Sequence, residues 1–281
     1  MKLLNGLGVV AGLAVCGVGG TRAAGDAPPP GYALVWADEF NVDGPPDPKN
    51  WRFERGFVRN HELQFYQPDN AVVKNGILTI EARREEVPNP RYEAGSNDWK
   101  KRPEKSTYTS ASMLTEGLHQ WTYGRFELRA RIDVRAGLWP AWWTLGVERE
   151  WPDNGEIDIM EYYTGGVLAN FAWGSGKRWN AKWDSVKTPL AKLGGPGWAK
   201  EFHVWRMDWT RDNVRIYLDG RLLNDIRVTD ARNPDGFLPY RQPHYMILNL
   251  ALGGQNGGPL DGTEFPAKFE IDWVRVYQPR P

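Results

Sequence analysis

The sequence predicts an all-β fold, a sandwich or barrel of short strands. Three observations carry this. Apolar and polar residues alternate in short stretches, Gly, Pro and Asn turn signals separate those stretches, and helical periodicity never holds for three turns. Residues 71–83 read as two strands joined at Asn75-Gly76, a strong hairpin signal. Residues 124–134 alternate, with Phe126, Leu128, Ala130 and Ile132 on one side and Arg125, Glu127, Arg129 and Arg131 on the other. Residues 204–208 and 214–218 form another pair, and Asp219-Gly220 turns the chain into 221–226. Residues 245–252 and 269–277 complete the strands, while 93–106, polar and turn-rich, reads as a long surface loop.

Organisation is simple. Lys2 precedes an apolar, Gly-rich stretch at residues 7–18, and Ala23-Ala24 offers small residues for cleavage. Residues 1–24 therefore read as an export signal, too short to span a membrane. The single cysteine, Cys16, falls inside it, so the mature chain is expected to have no disulfide. The residues before Cys16 fit a lipoprotein box poorly because of Val15, and free secretion is the preferred expectation. Pro28-Pro29-Pro30 marks a linker over residues 25–31, and one domain covers 32–281.

Composition narrows the partners. Lys plus Arg equals Asp plus Glu at 35 each, and removing the leader leaves 33 basic against 35 acidic residues. Such a surface has no basic footprint for nucleic acid and no polybasic membrane anchor, but it suits a neutral glycan. Trp outnumbers Phe, 15 to 10. Indole is bulky and carries an N–H that needs a partner, so a surplus suggests some rings line a wet groove where sugar faces stack. The remainder belong to the core. His61, His119, His203 and His244 are scattered without metal-ligand spacing, and no Gly-x-Ser-x-Gly or P-loop pattern occurs.

The chemistry-bearing segment is Gly155-Glu156-Ile157-Asp158-Ile159-Met160-Glu161. Strict alternation would put Glu156 and Asp158 on one face and bury Glu161 among Ile157 and Ile159, at a cost. One β-bulge after Asp158 resolves this by returning Glu161 to the side of Glu156 and Asp158. Two glutamates leaning together from such positions could bring their carboxyls about 5–6 Å apart, the separation of a retaining glycosidase.

This segment resembles the bulged signature of glycoside hydrolase family 16, nearest in pattern to its laminarinase-like endo-β-1,3-glucanases. Further stretches agree in order. They are Val35-Trp36-Ala37-Asp38-Glu39-Phe40, Asn60-His61-Glu62-Leu63-Gln64-Phe65-Tyr66, Gly137-Leu138-Trp139-Pro140-Ala141-Trp142-Trp143, Asn249-Leu250-Ala251-Leu252-Gly253-Gly254 and Ile271-Asp272-Trp273-Val274-Arg275-Val276-Tyr277. The resemblance implies a curved two-sheet β-jelly-roll sandwich with a cleft across its concave sheet, and cutting inside long chains. It implies Glu156 as nucleophile, Glu161 as acid then base, and Asp158 between them. Physically, an anionic Glu156 raises the pKa of Glu161, and its esterification would lower that pKa again. Substrate contacts are expected from Trp139 and Trp143, then Trp121 and Trp173, with Asn60, Glu62 and Gln255 binding hydroxyls. Alternation leaves open which of Trp142 and Trp143 faces the cleft, and the family pattern chooses Trp143. Arg125 is open between a sugar contact and a structural carboxylate. The resemblance also implies a structural calcium at Glu39, the Gly76 carbonyl and Asp272, whose alternative is ordinary hydrogen bonding. No cofactor is expected for catalysis, and the protein is expected to be a monomer.

One stretch departs from the pattern. Laminarinases usually continue to a histidine-containing strand, where this chain has Asn170-Phe171-Ala172-Trp173-Gly174 and then Lys177-Arg178-Trp179-Asn180-Ala181-Lys182-Trp183-Asp184. The extra tryptophans and cations leave the glycan open. A β-1,3-glucan is the first expectation. A galactan of the agarose, porphyran or carrageenan type is the alternative, its sulfates meeting Lys177, Arg178 and Lys182. A transglycosylase would use the same residues, and a non-catalytic glycan-binding module is the reading from another class.

Overall fold

A computed structural model describes residues 28–280. The expected leader, Cys16 and the first part of the linker lie outside the described residues.

Two antiparallel sheets stack face to face. One has eight strands, in the order Arg221–Arg227, Asn213–Leu218, His203–Trp209, Gly124–Ile132, Ala267–Pro279, Ile77–Ala82, Ala71–Lys74, with Tyr32–Asp38 also paired to Ala267–Pro279. The other has seven, in the order Asn180–Pro189, Gly166–Lys177, Glu156–Tyr163, Leu138–Gly146, His244–Leu252, Ser112–Leu114, Arg52–Phe53. The chain crosses between the sheets several times, as between Gly124–Ile132 and Leu138–Gly146, and the result is a jelly roll. The expected strands and the Asn75-Gly76 hairpin are present. The loop at 93–106 holds until its end, where Lys105–Ser106 pairs with Val87–Pro88. Among the described residues no helix is long and apolar enough to cross a membrane.

Alternation determines what each sheet buries. Phe126, Leu128, Ala130 and Ile132 enter the inter-sheet core, where Trp142, Ile157, Phe171 and Leu248 meet them from the other sheet. The opposite face of Gly124–Ile132 is laced with ion pairs, Arg125 to Asp208 and Arg131 to Glu270 among them. Arg125 thus pairs with a structural carboxylate, one of its two expected roles.

The central strands of the seven-stranded sheet are buried on both faces. Their inner face meets the core, while Leu114, Ala141, Trp143 and Ile247 form a second apolar cluster on the outer face. Ala141 and Trp143 of that cluster line the functional site.

Candidate active site

Glu156–Tyr163 carries the expected bulge. Asp158 pairs with Asn170 and Glu161 with Leu168, so three steps on one strand face two on the other. Trp142 pairs with Met160 and Trp143 with Asp158, which places the extra residue at Ile159. Ile159 and its neighbour Met160 therefore both enter the core, and Glu156, Asp158, Glu161 and Tyr163 all face outward. They line a cleft of about 590 Å³.

Local chemistry fixes the start of this strand. Gly155 has φ +79° and no room for a side chain, since a Cβ there would lie 2.5 Å from Pro239 Cβ. The Tyr240 hydroxyl sits within hydrogen-bond distance of the backbone carbonyls of Glu156 and Ala172, at 3.0 and 2.9 Å. The far end turns through Thr164-Gly165, both at positive φ, so that Tyr163 pairs with Gly166.

Each carboxylate has named donors. Trp151 Nε1 donates to Oε2 of Glu156 at 2.5 Å. Asn170 Nδ2 donates to Oδ2 of Asp158 at 3.1 Å and to Oε2 of Glu161 at 2.9 Å. Trp139 Nε1 donates to Oε1 of Glu161 at 2.8 Å. Asp158 interacts with Glu156 in the sense that favours a proton on Asp158 and a charge on Glu156. Burial, joined by the charges of Glu161 and Glu156, pushes Asp158 well above the usual carboxyl range. Burial raises Glu156 as well, with the Asp158 and Trp151 hydrogen bonds opposing it. Burial first and the charge of Glu156 after it raise Glu161 to about 7, against the donors Trp139 and Asn170. The trio can therefore present an anion at one end and a proton at the other.

A polar wall faces these groups. Glu62 is buried and accepts from Asn60 at 3.2 Å, Gln64 at 2.8 Å and Tyr66 at 3.1 Å. Burial raises its pKa, and the Arg59 cation partly offsets this. Asn249 then donates to the Tyr66 oxygen at 3.3 Å and accepts from Trp143 Nε1 at 2.7 Å. This chain of bonds orients the Trp143 ring, over which the Arg59 guanidinium lies 5.1 Å from the centroid. The Gln255 backbone N–H bonds to the Asn60 carbonyl at 2.9 Å, joining the one-turn helix Gly254–Gly257 to this wall.

The structure thus brings Glu156, Asp158, Glu161, Trp139, Trp143, Asn60, Glu62 and Gln255 to one cleft. Trp142 is fully buried on the core side, which leaves Trp143 for the cleft. Two expected platforms lie elsewhere, and these expectations are corrected. Trp121 packs in the core, with Trp36, His119 and Phe126 around it. Trp173 follows Ala172, the partner of Glu156, so it points to the opposite face and packs against the core. Arg59, Trp151, Tyr163, Asn170, Trp179 and Trp183 complete the lining.

Two of the three positions expected to hold calcium are engaged by guanidinium groups. Glu39 accepts a two-pronged bond from Arg275 at 2.6 and 2.8 Å, and Asp272 accepts from Arg129. Among the described residues no group of three or more His, Cys, Asp and Glu is placed to hold a metal.

A β-jelly roll with paired carboxylates in an aromatic-walled cleft defines a glycan-cleaving hydrolase. The glycosyl hydrolases family 16 model matches residues 60–275, and the chain belongs to that family. It is 36% identical to a β-glucanase of Rhodothermus marinus, over 89% of this chain and 86% of that protein. The laminarinase catalytic domain of Thermotoga maritima superposes with a TM-score of 0.74 at 34% identity, covering 89% of this chain and 99% of that one. A structure from work on endo-acting O-glycanases of the human gut microbiota that initiate mucin breakdown gives 0.81 at 34% identity, covering 90% and 92%. The jelly roll and the family expected from the sequence are those found.

Proposed function

We propose that this protein is an exported, monomeric, retaining endo-glycosidase that cuts internal β-linkages of a neutral polysaccharide, β-1,3-glucan first among them. The carrying observation is that Glu156, Asp158 and Glu161 share one face of a bulged strand, with separate donors on Glu156 and Glu161. In this reading Glu161 gives its proton to the glycosidic oxygen as Glu156 attacks the anomeric carbon and the leaving sugar departs. The glycosyl ester neutralises Glu156, the pKa of Glu161 falls, and Glu161 takes a proton from water, which cleaves the ester. Asp158 keeps a proton on the Glu156 side of the trio. Export rests on the leader at residues 1–24.

A second reading has its own support. The strand Gly166–Lys177 carries no histidine, unlike the histidine-containing strand usual in laminarinase-like chains, and the structure from the mucin O-glycanase work is a close structural match. A galactose-containing glycan is therefore the alternative substrate. Two of the three cations expected to meet sulfate are tied or turned away from the cleft. Arg178 is tied to Glu150 at 3.0 and 2.9 Å, and Lys182 pairs with Trp173, on the face opposite the cleft.

The test is mature protein against laminarin, lichenan, agarose, carrageenan, porphyran and mucin, with Glu156→Gln alongside. Oligosaccharides released from one polymer, reduced about 1,000-fold or more in the variant, are the expected result. No release from any polymer would move the reading to a glycan-binding module.

A further inference from the structure

We propose that Trp179 and Trp183 form an outer sugar-stacking subsite, which holds a neutral β-linked chain beyond the sugar that reacts at Glu156. The inference rests on the glycan-cleaving reading above and adds to it where the rest of the polymer is gripped.

All fifteen tryptophans lie within the described residues, and only these two are exposed, at 56% and 48%. Leaving two indoles in water forgoes a large apolar burial, and both open onto the cleft that holds the carboxylates. Their placement follows from the sheet. Glu156 pairs with Ala172, and Ala172 pairs with Trp183. Directly paired residues share a face, so Trp183 stands beside Glu156 two strand spacings away, roughly 10 Å.

Trp179 occupies the tip of the hairpin that joins Gly166–Lys177 to Asn180–Pro189, at φ +59°. It stacks on Trp151 with centroids 6.3 Å apart and planes at 21°. Trp151 is the ring that donates to Glu156. The two-pronged bond from Arg178 to Glu150 ties the hairpin tip to the loop carrying Trp151. That bond also matches the Arg178 charge, so the platform is held in place and its nearest guanidinium is already paired. Stacking on apolar ring faces beside a guanidinium already matched by Glu150 suits a neutral sugar chain. The opposite wall binds differently, through the amides and carboxylate of Asn60, Asn249 and Glu62. One side of the cleft thus reads hydroxyls and the other grips rings.

The test separates binding from turnover. In the Glu156→Gln background, native gels containing laminarin, lichenan, agarose or mucin report retardation without hydrolysis. Adding Trp179→Ala and Trp183→Ala should abolish most of it, and Trp179→Phe, which keeps a ring, should retain more than Trp179→Ala. In the active background, the ratio of kcat/KM for the longest to the shortest oligosaccharide cleaved should fall about tenfold. Retardation unchanged by both alanine variants would overturn the subsite, as would no retardation by any polymer. If the alanine variants lose retardation while the wild type cuts no polymer, the hydrolytic reading fails and the subsite stands.

Discussion

Asn170 donates its side-chain amide to Oε2 of Glu161 at 2.9 Å, across the hairpin turned at Thr164-Gly165. The same nitrogen reaches Asp158, while the amide oxygen is buried without a protein partner among the described residues. The donor favours the charged form of Glu161. Asn170→Ala is expected to raise the Glu161 pKa, shift the alkaline limb of kcat/KM up by about one pH unit and lower kcat about tenfold. A limb that stays in place in the variant would refute this role.

The wild-type pH profile follows from the same groups. Glu161 must begin protonated, so kcat/KM should decline as pH rises through about 7. Glu156 must begin ionised, and burial holds its pKa above the usual value, so activity should also fall toward acid. A pH–rate series on one oligosaccharide should give a bell, and a plateau extending well into alkali would contradict the assignment of Glu161.

Stability responds with a definite sign. The folded protein holds the Glu161 proton more tightly than the unfolded chain does, so this group's contribution falls between about pH 4.5 and about pH 7 and is flat above. Glu161→Gln should therefore unfold later than wild type at pH 8, by on the order of 2 kcal/mol, with no gain at pH 4. Equal Tm differences at both pH values would contradict the buried charge.

Much of this site was legible in the sequence, and the gaps have physical causes. The bulge could be inferred because three carboxylates in an apolar strand cannot share a face without it. Trp142 and Trp143 could not be separated by alternation, since either parity gives one ring to the core. The facing of Trp173 depends on cross-strand register and not on its own strand's composition. That register was readable: the two-residue turn Thr164-Gly165 and the bulge together put Asn170 opposite Asp158 and Ala172 opposite Glu156. The same counting would have found Asn170 and excluded Trp173. Trp151 lies in an irregular loop, where no periodicity tells which way a ring points. Arg59 gave no signal beyond its place beside Asn60.

Gly155 offers a test of how the catalytic strand is launched. Alanine there meets both a left-handed backbone and Pro239. Gly155→Ala should cost about 2 kcal/mol or more, seen as a lower Tm, and should reduce kcat by displacing Glu156. A variant with wild-type Tm would mean the turn is less constrained than its φ implies.

The ion pairs of Glu39 and Asp272 carry a prediction about metal. With both carboxylates already engaged by guanidinium groups, chelator and added calcium are each expected to leave Tm unmoved. A rise in Tm on adding calcium would show that the cation displaces Arg275 or Arg129.

The stereochemistry of the first product tests the central claim most directly. Proton NMR of a β-linked oligosaccharide, recorded within the first minutes of cleavage, distinguishes direct attack by Glu156 from attack by water. Double displacement predicts that the new reducing end appears first as the β anomer, with the α anomer growing later by mutarotation. An α anomer appearing first would contradict Glu156 as the nucleophile.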